Sequence, residues 1–202
     1  MKKGPAMVTK IGAAVVMAWL AACSLAVQAQ QPAVADGPQY AGTALKRPAD
    51  YREWVFLSSG LGMSYNAPAA AAPPPARQFF TNVFVNPSSY RSFMQTGKWP
   101  DKTVLVLEIR ASSGNGSINK DGRFQTTLSG MEVHVKDSRY ENGWAFFGFG
   151  GGKETAEPMT GPAVAECVTC HAEHGAVDNT FAQFYPTILD TARQKGTLRP
   201  GF

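Results

Sequence analysis

The chain has 202 residues, 44% hydrophobic and 17% charged, a composition that supports a globular domain with a real core and excludes wholesale disorder. Its formal charge of +4 suggests a polyanion binder, but Lys2, Lys3 and Lys10 fall in an opening segment that holds no acid. Removing residues 1–29 takes Lys plus Arg from 19 to 16 against 15 acids, and a mature charge of +1 gives nucleic-acid binding no support.

That opening segment, residues 1–29, reads as a secretory signal peptide. The lysines supply the basic end, Ile11 to Leu25 the apolar run, and Val27-Gln28-Ala29 a cleavage site before Gln30. Leu20-Ala21-Ala22-Cys23 also resembles a lipobox, which would make Cys23 a lipid-bearing membrane anchor. The run is short for an uncleaved transmembrane helix. The expected destination is the periplasm.

Residues 30–48 are polar with Pro and Gly, a flexible N-terminal segment, and residues 49–202 form the one expected domain. Ala49 to Val55 predicts a short helix leading into Val55-Phe56-Leu57, and the Ala/Pro run 66–76 predicts a surface loop. Phe79 to Val85 reads as a strand stopped by Asn86-Pro87; Ser88 or Ser89 then caps a helix from Tyr90 to Thr96, ended by Gly97. Three more strands are expected at Thr103 to Arg110, Met131 to Lys136 and Trp144 to Phe149, the first two joined by a Gly/Asn-rich hairpin. A last helix is expected from about Asn179, carrying Phe181, Phe184, Tyr185 and Ile188. Helix, strand, helix, three strands, helix is an α+β order: a mostly antiparallel sheet with peripheral helices.

Cys167-Val168-Thr169-Cys170-His171 is C-x-x-C-H, the attachment sequence for haem c. Two thiols so spaced reach the two vinyl groups on one porphyrin edge, and the next residue projects an imidazole to the iron. Export agrees, because the thioethers form outside the cytoplasm. The competing readings are a disulfide or a zinc half-site, but zinc wants four ligands and only His134 and His174 remain to complete it. One covalent haem per chain is therefore expected, with Cys167 and Cys170 as attachment points and His171 as the axial metal ligand.

The sixth position decides between electron transfer, usually closed by His or Met, and ligand chemistry. His174 is too close in sequence to His171 to reach the other haem face. His134 alternates with Val133 and Val135, so it shares a face with Glu132 and Lys136, expected to be the solvated one. Met63, Met94, Met131 and Met159 read as core filler. An open distal site is the expectation.

The stretches YREWVF at 51–56, FTNVFVNPSSY at 80–90, GKWPDKTVLVLEIR at 97–110, EVHVKD at 132–137, GWAFFGF at 143–149, CVTCH at 167–171 and DNTFAQFYP at 178–186 resemble the cytochrome P460 family, which includes the cytochromes c′-beta. The resemblance implies a periplasmic homodimer with a mostly antiparallel sheet and five-coordinate haem. Some members oxidise hydroxylamine, and others bind nitric oxide under an apolar distal cap. In the enzymatic branch a lysine is joined to a haem meso carbon, and this lysine is thought to come from the strand that here reads TVLVLEIR, which has none. Lys98 and Lys102 just precede it, as candidates for the cross-link or as solvated turn lysines. Phe79 and Phe80, with Leu105 or Leu107, are the expected cap; Glu108 and Glu132 are candidate proton acceptors or solvated strand residues. The leading expectation is a binder of nitric oxide and related small ligands. The alternatives are a hydroxylamine- or nitric oxide-oxidising enzyme and an electron-transfer cytochrome with a periplasmic redox partner.

Overall fold

The computed structural model describes residues 1, 4, 36–64 and 78–202. Apart from Met1 and Gly4, the expected signal peptide with its Cys23 lies outside the described residues, as does the Ala/Pro run. Every element below belongs to one compact unit, residues 34–202.

Strands β1 (Tyr40–Ala41), β2 (Ala44–Lys46), β3 (Val55–Leu61), β4 (Phe79–Val85), β5 (Val104–Ser113), β6 (Phe124–Lys136), β7 (Trp144–Gly148) and β8 (Thr155–Ala156) make two antiparallel sheets. The larger runs β3-β4-β5-β6-β7 and the smaller β1-β2-β8. Helices α1 (Pro87–Thr96), α2 (Pro162–His174) and α3 (Pro186–Gln194) complete the α+β fold.

Register builds the site. Val83, Leu107 and Glu132 stand opposite one another across β4, β5 and β6, and Val85, Leu105, His134 and Phe146 form the next row out to β7. Alternation sends Val104, Val106, Val133, Val135 and Phe147 to the other face, where Leu45, Tyr51 and Trp54 pack against them. The first face packs beneath Phe93, Trp99, Tyr185 and Ile188. Both faces are covered, which is why β5 is apolar at successive residues rather than alternately. On the face expected to be solvated, Glu132 is exposed as expected, whereas His134 and Lys136 are half-buried because the helical side overlies that end of the strand.

Other expectations shift for local reasons. Tyr40 to Lys46 forms a hairpin paired to β8, within a segment expected to be flexible. The helix expected at 49–55 is a single 3-10 turn at Tyr51–Glu53, because Trp54 is already extended. Helix α1 starts at Pro87 with Asn86 at the N-cap; its Ser88 N–H donates to the Asp36 carboxylate, a cap from far away in sequence. Gly97 ends it in the left-handed region at φ 73°, as expected. The helix expected from Asn179 is split into a tight turn, a 3-10 turn at Ala182–Phe184 and α3, because Pro186 fits only at the start of a new helix.

Candidate haem site

Helix α2 begins with Pro162 at its first turn and carries the C-x-x-C-H run near its end. Residues 167, 170 and 171 stand at i, i+3 and i+4, so their side chains share one helix face. That face looks onto a cavity of about 360 Å³. Val83, Leu105, Leu107 and Phe146 of the sheet form its floor, and Phe181 and Tyr185 add aromatic walls beside the two thiols and His171. Both cysteines are free and half-buried.

The His171 imidazole is oriented from behind. Its Nδ1 lies 2.7 Å from the Asn179 carbonyl oxygen, so Nδ1–H donates there and Nε2 keeps its lone pair for a metal. Burial lowers the His171 pKa, favouring the neutral ring a metal requires, and the Asn179 bond opposes this in part. The carbonyl is placed by the turn Val177–Thr180, where Asp178 and Asn179 both have positive φ, 48° and 58°. Asp and Asn tolerate that region best among residues with a side chain. The turn closes with Thr180 N–H donating to the Val177 carbonyl at 2.8 Å. Gly175 lets it back onto the helix: a Cβ there would sit 2.6 Å from the His171 carbonyl oxygen and 2.7 Å from the Asn179 carbonyl carbon.

Of the residues expected from sequence, Cys167, Cys170, His171 and Glu132 meet at the cavity, with His134 between Phe146 and His171. Two imidazoles across one iron, each bonded at about 2 Å, would hold their ring centres roughly 6 Å apart. Those of His134 and His171 are 4.9 Å apart with planes at 70°, so His134 flanks His171 and is not placed to oppose it across one iron. Burial first, then the His171 charge, pushes the His134 pKa down to about 3, and it is neutral at working pH. Burial raises the Glu132 pKa. Burial, and after it the Glu132 charge, pushes the Cys167 thiol up.

The other expected site residues lie elsewhere. Phe79 shares the cavity-side face with Val83 but sits four residues along β4, about 13 Å away. Phe80 pairs with Arg110 and Leu61, and alternation turns it to the opposite side. Neither lines the cavity; Val83, Leu105 and Leu107 take that place. Lys102 Nζ pairs with the buried Asp137 at 2.7 Å, and Lys98 lies exposed in the turn after α1. Glu108 is buried on the opposite face, where Tyr51, Arg52 and Asn82 donate to its carboxylate at 2.5–2.8 Å. Its burial pushes the pKa up, but these donors and Arg110 outweigh that and leave it lowered, the state of a structural carboxylate. The aromatic walls Phe146, Phe181 and Tyr185 and the Asn179 carbonyl were not singled out as site residues from sequence.

An apolar cavity bounded by two free thiols and an imidazole with its far nitrogen available fits a porphyrin and its iron. Among the described residues no three His, Cys, Asp or Glu side chains group as a metal-ion cluster would. The class defined is therefore a haem protein whose site stands on an antiparallel sheet. The cytochrome P460 family model matches residues 48–182, and the chain belongs to that family. No curated protein matches the chain.

Proposed function

We propose that the mature chain is a periplasmic homodimeric cytochrome, with haem c joined to Cys167 and Cys170, His171 as axial ligand, and an open distal site for nitric oxide and related small ligands. The observation that carries this reading is the cavity lining: among the described residues it contains neither a lysine to cross-link the macrocycle nor a methionine to close the sixth position. Met131 is core, while Met63, Met94 and Met159 are exposed, and none of the four lines the cavity. Bound haem supplies an iron that takes an exchangeable ligand and changes oxidation state.

The chain's own residues set the rest. Asn179 holds the imidazole by one nitrogen and leaves the other for the iron. Val83, Leu105 and Leu107 offer no hydrogen bond, so stripping water from a polar or anionic guest there costs about 2–7 kcal/mol, while a neutral diatomic enters without that penalty. One observation favours hydroxylamine oxidation as a second reading: Glu132 faces the cavity with its pKa raised by burial, and its carboxylate can accept a proton from an N–H or O–H substrate.

The optical spectrum of the ferrous protein tests the reading. An ordinary five-coordinate high-spin spectrum that changes on adding nitric oxide or carbon monoxide is expected. A Soret band moved far to the red would instead establish a cross-link and the enzymatic reading, and a six-coordinate low-spin spectrum an electron carrier.

A further inference from the structure

Three of the sequence stretches quoted above meet at a point the haem reading leaves unused. Asp178 Oδ2 accepts from the Trp99 N–H at 3.0 Å and from Lys136 Nζ at 3.0 Å. Lys136 Nζ donates also to the Trp99 carbonyl at 2.8 Å. Trp99 Nε1–H donates to Thr180 Oγ1 at 3.0 Å, and Thr180 Oγ1–H donates on to the Val177 carbonyl at 2.7 Å. Trp99 is 2% exposed and the Lys136 and Asp178 side chains 24% and 29%, so the ion pair is partly desolvated and held in one geometry. All of these bonds except the one from Lys136 to the Trp99 carbonyl end on the Val177–Thr180 turn, and that turn presents the Asn179 carbonyl to His171.

We propose that Lys136, Trp99 and Asp178 form a latch that positions this turn, and through the Asn179 carbonyl sets the donor strength of the His171 imidazole towards iron. The proposal rests on the haem reading and deepens it. Outer partners of a metal-bound histidine raise its basicity by polarising the second ring nitrogen. A carbonyl held firmly on Nδ1–H makes the ring a better donor, which favours ferric over ferrous iron. A loosened turn weakens that bond, and the equilibrium moves towards ferrous. All three latch residues are positioning residues, since none is expected to touch the iron or its ligand.

The signs separate a latch from simple charge. Lys136→Met removes a positive charge, which by electrostatics alone would favour ferric iron, whereas Asp178→Asn removes a negative one and would favour ferrous iron. The latch predicts that both move the ferric–ferrous equilibrium towards ferrous, by three- to tenfold, the upper figure being about 59 mV for one electron. It predicts also that both lower the iron–histidine stretching frequency in resonance Raman spectra of the five-coordinate ferrous protein. Trp99→Phe, which keeps an aromatic ring, changes no charge and removes only the Nε1–H donor to Thr180, should shift both readouts the same way. Lys136→Arg, which keeps charge and donors, should bring them back towards wild type. Asn tolerates positive φ, so Asp178→Asn leaves the turn able to form. A lower potential in Lys136→Met, or an unchanged stretching frequency in Asp178→Asn and Trp99→Phe at wild-type haem content, would overturn the latch. Absence of covalent haem from the wild-type protein would overturn the haem reading instead, so the two failures are distinguishable.

Discussion

Gly175→Ala tests how closely the carbonyl turn must approach the helix carrying the C-x-x-C-H run. Gly175 has φ −76° and ψ 131°, which any residue adopts, so no backbone strain enters. By itself the substitution would stabilise by about 0.4–1 kcal/mol, through the smaller entropy of the unfolded chain. The new Cβ, however, would stand 2.6 Å from the His171 carbonyl oxygen and 2.7 and 2.8 Å from the Asn179 carbonyl carbon and Cα. All three are backbone atoms, so nothing can turn aside by a change of rotamer. Overpacking of this kind costs about 1–3 kcal/mol, and the net expectation is a loss of about 1–2 kcal/mol. For a domain of this size that corresponds to a Tm lower by about 2–8 °C in thermal denaturation of the purified protein. Gly150→Ala is the comparison, since a Cβ there meets nothing within 4 Å. A Gly175→Ala protein at least as stable as wild type would refute the reasoning.

Glu108→Gln should destabilise by about 2 kcal/mol at pH 7, because Arg52 and Arg110 lose a charged acceptor. The folded pKa of Glu108 is lowered, so its contribution is present above the unfolded value of about 4.3 and fades as pH falls through the folded one; urea midpoints of variant and wild type should converge below pH 4. Leu107→Phe, which adds bulk to the cavity floor, should slow carbon monoxide association in flash photolysis, whereas Phe79→Ala and Phe80→Ala should leave it within twofold. The opposite pattern would return the two phenylalanines to the distal site. Light scattering at micromolar concentration should give a dimer of the mature mass, and a monomer alone would remove the homodimer.

Local signals carried the attachment site and the central strands into the sequence reading; long-range pairings stayed out of it. The C-x-x-C-H run specifies its own spacing, and β4 shows its β-branched and aromatic character without outside help. The Asp36 cap on α1 and the β2–β8 pairing each join residues far apart in sequence, so no window could display them. Alternation put Glu132, His134 and Lys136 on one face, and Glu132 is exposed there as expected, but the pattern could not show that this face borders a cavity. Polar residues facing a cavity read like polar residues facing water. The distal assignment shows the same limit: parity separated Phe79 from Phe80, but only the register with β5 places Val83 and Leu107 at the cavity and Phe79 about 13 Å beyond it. The turn behind His171 was written in sequence as Asp178-Asn179, yet its purpose emerges only where the Asn179 carbonyl meets the ring.

Covalent haem at Cys167 and Cys170 is the claim on which the rest depends, and intact mass after acid-acetone extraction addresses it most directly. The protein is made with its leader in a host that matures c-type cytochromes. The extracted wild type should weigh the mature polypeptide plus one haem, Cys170→Ala should retain at most one acid-stable thioether, and the double Cys167→Ala, Cys170→Ala protein should weigh the bare polypeptide. A wild-type mass equal to the bare polypeptide, or haem that survives extraction from the double variant, would contradict the account.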